Sequence, residues 1–213
     1  MDYDVAIIGG GVIGCAVLNK LTRHGVKAIL IEKANDVGMG SSKANSGIVH
    51  AGFDCKPHTL KAKFNVRGNQ LFHTLCPQLS VPLIKCGAIV VGNDKEAVKE
   101  LYERGIANGV DGLSVLDRAG LLQLVPDLKE EVTCGLYANT SCVVSPYMFT
   151  IALAEEAVIN GAKVVFNTEI NSCEHTSNGY RLKANNLDIE VKYIVNASAM
   201  GYNDVAKILN TET

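Results

Sequence analysis

Residues 5–8, Val-Ala-Ile-Ile, form an unbroken apolar run, the pattern of a parallel strand buried on both faces. Gly9, Gly11 and Gly14 follow it as G-x-G-x-x-G, and Ile13, Ala16, Val17 and Leu21 then recur at helical spacing. A second apolar run, residues 28–31, ends on Glu32. Strand, glycine turn, helix, strand and acid together predict a dinucleotide-binding unit. The first glycine allows the tight turn, the second lets backbone approach a pyrophosphate, and the third lets helix pack on strand. The helix N-terminus would face the diphosphate with free N–H groups and its positive dipole end. Glu32 would accept from a ribose diol and repel a 2′-phosphate, which favours FAD or NAD over NADP. The glycine fingerprint alone leaves FAD and NAD open.

Beyond Glu32 the chain turns small and polar through Gly38, Gly40, Ser41, Ser42, Asn45, Ser46 and Gly47, a segment suited to close approach to a ligand. Pro57 precedes a predicted helix whose buried side would hold Leu60, Phe64, Leu71 and Leu75. Strand-like runs follow at 88–91 and 134–138, with a helix at about 95–107 and a shorter one before Pro126. Pro146 opens a further helix, with Leu153, Ala157 and Val158 apolar, Glu155 and Glu156 solvated, and Gly161 as its stop. A strand at 163–166, a hairpin region at 170–191 turning at Asn178-Gly179, a strand at 193–197 and a last helix complete the pattern. The final Asn-Thr-Glu-Thr begins no new element.

The 213 residues are 47% hydrophobic and 20% charged, ample for a core. A net charge of −2 gives no broad basic field for nucleic acid or an anionic membrane. The chain opens on a strand with no leader pattern, and no run is long enough to span a bilayer, so the expected location is the cytoplasm, with peripheral membrane attachment left open. Seven cysteines without a C-x-x-C pair read as reduced, mostly buried thiols and not as a metal site.

Three segments together resemble the FAD-dependent oxidoreductases of the D-amino-acid-oxidase-like superfamily, in particular its glycerol-3-phosphate dehydrogenase and L-2-hydroxyglutarate oxidase branch. The first is the unit from Gly9 to Glu32. The second, Gly40-Ser-Ser-Lys-Ala-Asn-Ser-Gly-Ile-Val-His50-Ala-Gly52, continues through Lys56-Pro57, residues 60–63 and Gly68-Asn69. The third is Tyr193-Ile-Val-Asn-Ala-Ser-Ala-Met-Gly-Tyr-Asn-Asp-Val-Ala206, a strand-to-helix turn. The resemblance implies an α/β fold: a Rossmann-like FAD-binding core (1–80 with 146–213) and an inserted α+β portion of a substrate domain (81–145). The C-terminal remainder of the family fold would be absent.

It also implies FAD as cofactor, held by Gly9, Gly11, Gly14, Glu32, Ser41, Ser42, Asn45, Ser46, Gly47, His50, Ala197 and Gly201. The implied reaction is oxidation of a secondary alcohol bearing an anionic group, glycerol 3-phosphate or L-2-hydroxyglutarate, by hydride transfer to flavin N5. Electrons would leave to a quinone, oxygen or a carrier protein. Amine oxidation, a non-catalytic dinucleotide-binding remnant and an NAD-dependent dehydrogenase stand as alternatives. His50 has three readings: covalent flavin attachment, noncovalent flavin contact, or a buried structural histidine. Lys56, Lys61, Lys63 and Arg67 could face an anionic substrate or merely be solvated. His24, His58, His73 and His175 receive no role, and no catalytic base is placed. One departure stands out: where the family reads Asn-Ala-Ala-Gly, this chain has Ala199 in place of the glycine.

Overall fold

A computed structural model describes residues 1–211; Glu212 and Thr213, the end of the predicted C-terminal tail, lie outside it. The chain opens with β1 (Tyr3–Ile8), α1 (Val12–Arg23) and β2 (Ala28–Ile31). It continues through β3 (Ile48–Val49), α2 (Leu60–Gln78), β4 (Leu83–Ile84), β5 (Ala88–Gly92), α3 (Lys95–Ala107), β6 (Leu113–Asp117) and α4 (Arg118–Leu124). Then come β7 (Cys134–Ala138), β8 (Cys142–Val144), α5 (Pro146–Ile159), β9 (Lys163–Val165), β10 (Ser172–Thr176), β11 (Gly179–Ala184) and β12 (Leu187–Asn196). A 3-10 turn and α6 (Tyr202–Ile208) follow.

The chain divides into two compact units, Met1–Ser46 with everything from Pro146 onward, and Gly47–Ser145. The sequence pattern put this break near residue 80. It falls earlier because α2 packs on β3 and β4, and its Val66 joins the core of Ala51, Phe53, Val98 and Leu136.

The first unit carries a six-stranded sheet in the order β10-β11-β12-β1-β2-β9. β12, β1, β2 and β9 run parallel, and β10, β11 and the start of β12 form an antiparallel meander. The hairpin region and the following strand, read separately in the sequence, are joined: β12 is one ten-residue strand that serves both parts. Ala6, Ile7, Leu30 and Val191 are fully buried, as expected where sheet faces are covered. On one face Ala6, Ile8, Ile29, Ile31, Leu182 and Val191 form a continuous core.

Helices α1 and α5 pack on each other. The buried side of α1 is Gly14, Cys15, Leu18, Asn19 and Thr22, while Ile13 is 66% exposed. Buried Asn19 donates through Nδ2 to the Leu153 carbonyl (3.3 Å) and to Glu156 Oε2 (2.6 Å), and Arg23 Nη2 donates to Glu156 Oε1 (2.6 Å). Glu156 is therefore a half-buried clamp and not the solvated residue its helical position suggested. Burial pushes its pKa up, but the Asn19 and Arg23 hydrogen bonds outweigh burial and hold it below the ordinary glutamate value. A carboxyl depressed in the fold contributes stability above its unfolded pKa and loses it as pH falls through the folded value. Glu156→Gln should flatten the loss of thermal stability between about pH 5 and pH 3, at a cost near neutrality of roughly 1 kcal/mol, measured by melting curves against pH.

In the second unit β5-β7-β6 and β3-β8-β4 form two antiparallel three-stranded sheets. Helix α2 corrects the sequence reading: its buried residues are Ala62, Asn69 and Cys76, whereas Leu60, Phe64 and Leu71 are 70%, 56% and 44% exposed. The apolar stripe exists at the expected spacing but occupies the opposite face. Among the described residues no helix is long and apolar enough to cross a membrane.

Candidate functional site

At the ends of β1, β2 and β12, within the first unit, lies a cavity of about 350 Å³. This is at the small end of the range for ligand sites. Three of its walls are Ile8, Gly9 and Gly11 with residues 31–34, the loop 39–42, and the turn 197–201. The walls meet because β1 pairs in parallel with both β2 and β12, so all three strands deliver their C-terminal ends to one edge of the sheet.

Gly9 takes φ +109, and a Cβ there would stand 2.5 Å from the Ala197 carbonyl oxygen and 2.9 Å from Ser198 Cα. Gly14 lies under the turn and not in the cavity; its Cβ would collide with the Gly9 carbonyl oxygen. These two glycines let strand, turn and helix come together, and Gly11 leaves bare backbone on the cavity wall.

Glu32 extends from the end of β2 beneath the glycine turn. Its Oε2 accepts from Gly10 N–H (2.5 Å) and its Oε1 from Ala34 N–H (2.8 Å). A carboxylate has about four acceptor positions, so both oxygens keep capacity for a diol in the cavity. Ser42 Oγ accepts from Val12 N–H in the first turn of α1 (2.9 Å), capping the helix from 30 residues away and leaving the hydroxyl hydrogen free to donate. Ser41 also lines the cavity. Asn45 and Ser46 do not: Asn45 Nδ2 donates to the carbonyls of Ser41 (3.2 Å) and Ser42 (3.1 Å) and so shapes the loop.

The third wall is braced locally. Asn196 Oδ1 accepts from Ser198 N–H (3.2 Å) and Ser198 Oγ–H (2.6 Å), and Asn196 Nδ2 donates to the Tyr202 carbonyl (3.1 Å). Ala197 and Gly201 both face the cavity. Ala199, between them, takes φ +50. Gly201 does not relieve it: the left-handed position is Ala199 itself, where an L-residue costs roughly 1 kcal/mol. Ala199→Gly should leave the melting temperature nearly unchanged, because relief of strain offsets the looser unfolded chain, and should tighten FAD binding severalfold by removing a methyl from the wall, measured by fluorescence titration.

Sequence reasoning missed part of the lining. Thr168, Glu169 and Ile170 also line it, as do Asp204, Val205 and Ile208. The first group follows β9, where Thr168 N–H donates to the Glu32 carbonyl (3.0 Å). No local pattern marks it, because pairing between β2 and β9 brings it there.

Gly47 and His50 belong to the second unit. His50 is exposed just after β3, and its carbonyl accepts from Asn69 Nδ2 (3.3 Å), which also donates to the carbonyls of Thr140 (2.9 Å) and Val49 (3.4 Å). The reading of His50 as a buried structural histidine is thereby corrected. Lys56, Lys61, Lys63 and Arg67 are each exposed. His73 Nε2 lies 3.3 Å from the Thr140 carbonyl and 3.5 Å from Cys142 Sγ. Among the described residues no group of three His, Cys, Asp or Glu side chains is arranged to hold a metal.

Cys15 sits beneath the glycine turn, its thiol directed at the Gly10 carbonyl (3.5 Å). Burial, aided by the negative charges of Glu32 and Asp36, pushes its pKa up to about 12. Burial likewise raises Cys55, Cys76, Cys142 and Cys173, and Cys86 is the exposed thiol of the seven. Titration of the folded chain with a disulfide reagent near pH 7.5 should show about one fast thiol, lost in Cys86→Ser.

Comparison with known proteins bears on this site. The profile of the DAO family, FAD dependent oxidoreductase, matches residues 4–210. A glycerol 3-phosphate dehydrogenase of Caloramator mitchellensis is 43% identical over 201 residues, 93% of this chain and 42% of that protein. A glycerol 3-phosphate oxidase of Mycoplasma pneumoniae is 33% identical over 205 residues, 92% of this chain and 53% of that protein. A mitochondrial L-2-hydroxyglutarate dehydrogenase of Nematostella vectensis is 35% identical over 164 residues, 75% of this chain and 34% of that protein. The solved structure of dithionite-reduced L-α-glycerophosphate oxidase from Mycoplasma pneumoniae with FAD bound superposes with a TM-score of 0.88 at 30% identity, covering 97% of this chain and 56% of that one. Glycine oxidase from Geobacillus kaustophilus, with a TM-score of 0.87, 24% identity and coverage of 98% of this chain and 58% of that one, shares the fold. The chain thus spans about half the length, or less, of the curated relatives it matches.

Proposed function

The chain belongs to the DAO family of FAD-dependent oxidoreductases, and on that premise we propose that it binds the adenosine diphosphate half of FAD in the cavity at the ends of β1, β2 and β12. The whole activity we propose is oxidation of a secondary alcohol bearing an anionic group, with glycerol 3-phosphate as substrate. The observation that carries the flavin reading is the convergence on one cavity of Gly9 and Gly11, Glu32, Ser41 and Ser42 and the braced turn after β12. Bare glycine backbone and the α1 N-terminus suit the diphosphate, Glu32 suits the ribose diol, and the lining residues 168–170 would receive the adenine.

Ser42 would hold the first turn of α1 by its oxygen and a phosphate oxygen by its hydrogen. Glu32 would fix the turn through Gly10 N–H while receiving the ribose. Bound FAD supplies the acceptor for the two electrons and hydrogen removed from substrate. The substrate reading rests on the 43% and 33% identical relatives, both named for glycerol 3-phosphate. L-2-hydroxyglutarate is the second reading, supported by the 35% identical dehydrogenase.

The test is to saturate the purified chain with FAD, remove the excess, and record the visible spectrum before and after acid precipitation. Retained flavin near one per chain supports the cavity assignment, and a folded, colourless chain overturns it. Bleaching by glycerol 3-phosphate under anaerobic conditions supports the substrate. Bleaching by L-2-hydroxyglutarate alone replaces it with the second reading.

A further inference from the structure

Within the second unit the antiparallel strands β4 and β8 lead into a bulge. Ile84 pairs with Val143, and Gly87 N–H donates to the Ser141 carbonyl (3.0 Å). Two residues, Lys85 and Cys86, therefore stand opposite one, Cys142. Cys86 N–H donates back to the Ile84 carbonyl (3.1 Å) instead of across to β8. An extra residue of this kind interrupts the alternation of side chains along a strand and re-aims them. Opposed residues of an antiparallel pair have Cα atoms roughly 4.5–5.5 Å apart, inside the roughly 4.4–6.8 Å that a disulfide spans.

The two thiols differ in access. Cys86 is exposed, whereas Cys142 is 1% exposed, with Sγ 3.4 Å from the Thr140 carbonyl oxygen and 3.5 Å from His73 Nε2. Burial pushes the Cys142 thiol up; of the charges that reach it, Cys86 raises it further and Lys85 lowers it. Both bulge residues thus lie near the Cys142 sulfur. Cys76 on α2 is a third thiol in this region, fully buried, with Cys142 as the charge that reaches it. Among the described residues none of these groups combines into a metal-holding set.

We propose that Cys86 and Cys142 are a redox pair, a modification site at which hydrogen peroxide closes a reversible disulfide across the bulge. Cys86, as the thiolate, attacks one peroxide oxygen: an S–O bond forms, the O–O bond breaks, and the departing hydroxide takes up the proton that Cys86 released. The Cys142 sulfur then attacks the Cys86 sulfur of the sulfenic acid. The S–S bond forms, the S–O bond breaks, and the departing hydroxide takes the Cys142 proton. Two thiols are oxidised by two electrons, one peroxide is reduced, and two waters leave. Closure fixes β4 to β8 and withdraws the exposed thiol. The proposal depends neither on flavin binding nor on the substrate.

The test uses the full chain, reduced, freed of reductant and treated with a small excess of hydrogen peroxide near pH 7.5. Thiols counted in denaturant should fall by two from the seven of the reduced chain, without dimer formation, and return with dithiothreitol. A non-reduced digest should contain the peptide bearing Cys86 joined to the one bearing Cys142. Cys142→Ala should stop the reaction at the sulfenic acid, with dimedone labelling of Cys86 at least about tenfold above that of the unaltered chain. Cys86→Ser should lose both the disulfide and the label. If Cys142→Ala fails to fold, the peptide map of the unaltered chain decides. A Cys76–Cys142 link that leaves Cys86 free overturns the proposal, as do dimers joined through Cys86. So does passage of Cys86 to the sulfinic acid while Cys142 stays reduced, or a thiol count that holds at seven under conditions that oxidise free glutathione.

Discussion

Gly9→Ala should severely weaken FAD binding and lower the melting temperature of the chain. The new methyl would stand 2.5 Å from the Ala197 carbonyl oxygen and 2.8 Å from its carbon, both backbone atoms that no rotamer change can move. The conformation adds a separate penalty, because φ +109 is essentially closed to L-residues and costs about 1–3 kcal/mol. With overpacking of about 1–3 kcal/mol more, the loss would take a large share of an ordinary domain's stability. Relief requires β1 and β12 to part where the cavity is built, so FAD affinity should fall by at least about a hundredfold, or about 2.8 kcal/mol. Flavin retention on gel filtration and a melting curve check both effects. Gly68→Ala serves as control: its Cβ would meet nothing within 4 Å, and the helix should gain up to about 1 kcal/mol. A Gly9→Ala chain that holds FAD as tightly as the parent would place the nucleotide elsewhere.

The second large effect is expected at Glu32. Its two carboxylate oxygens accept from the N–H groups of Gly10 and Ala34. Glu32→Ala removes both acceptors, and each partly buried N–H left without one costs roughly 1–3 kcal/mol unless water reaches it. The ribose would lose its acceptor at the same time. The expected result is FAD binding weaker by about ten- to a hundredfold, with a moderate fall in melting temperature. Glu32→Gln separates the two contributions. The amide keeps one acceptor but turns NH₂ toward a backbone N–H, so it should recover shape without recovering affinity, as read by isothermal titration with FAD.

The part of the site that was legible in the sequence is the part made by neighbours in the chain. β1, its glycines, α1 and β2 are consecutive, and local sterics dictate that the glycines fall between strand and helix. Glu32 follows because it ends the next strand. The turn at Ala197–Gly201 was legible through resemblance, but not the left-handed backbone of Ala199, since alanine itself carries no signal for positive φ. Thr168–Ile170 and Asp204–Ile208 were not legible, because parallel pairing and the return of α6 bring them to the cavity from far along the chain. Helix α2 shows the opposite limit. Periodicity located an apolar stripe at Leu60, Phe64, Leu71 and Leu75, yet the first three are exposed, Leu75 is half-buried, and the helix turns Ala62, Asn69 and Cys76 inward. A period defines a stripe, whereas the side that becomes interior depends on what the remaining chain presents. Buried Asn69, donating to three carbonyls, supplies a polar reason for the observed side.

The placement of β1 between β2 and β12 also sets a timetable for synthesis. β1 and β2 are made first and can pair at once, but the strand on the other side of β1 is the last of the six in this sheet to be made: the Asp4–Lys192 ion pair joins residues 188 positions apart. At ordinary translation speeds the ribosome needs roughly 10 to 40 s to cover that distance. Throughout that interval Val5–Ile8, among the most apolar and later most buried residues of the molecule, have one edge unsatisfied. A nascent chain stalled before residue 187 would keep it so, as a substrate for chaperones or for aggregation.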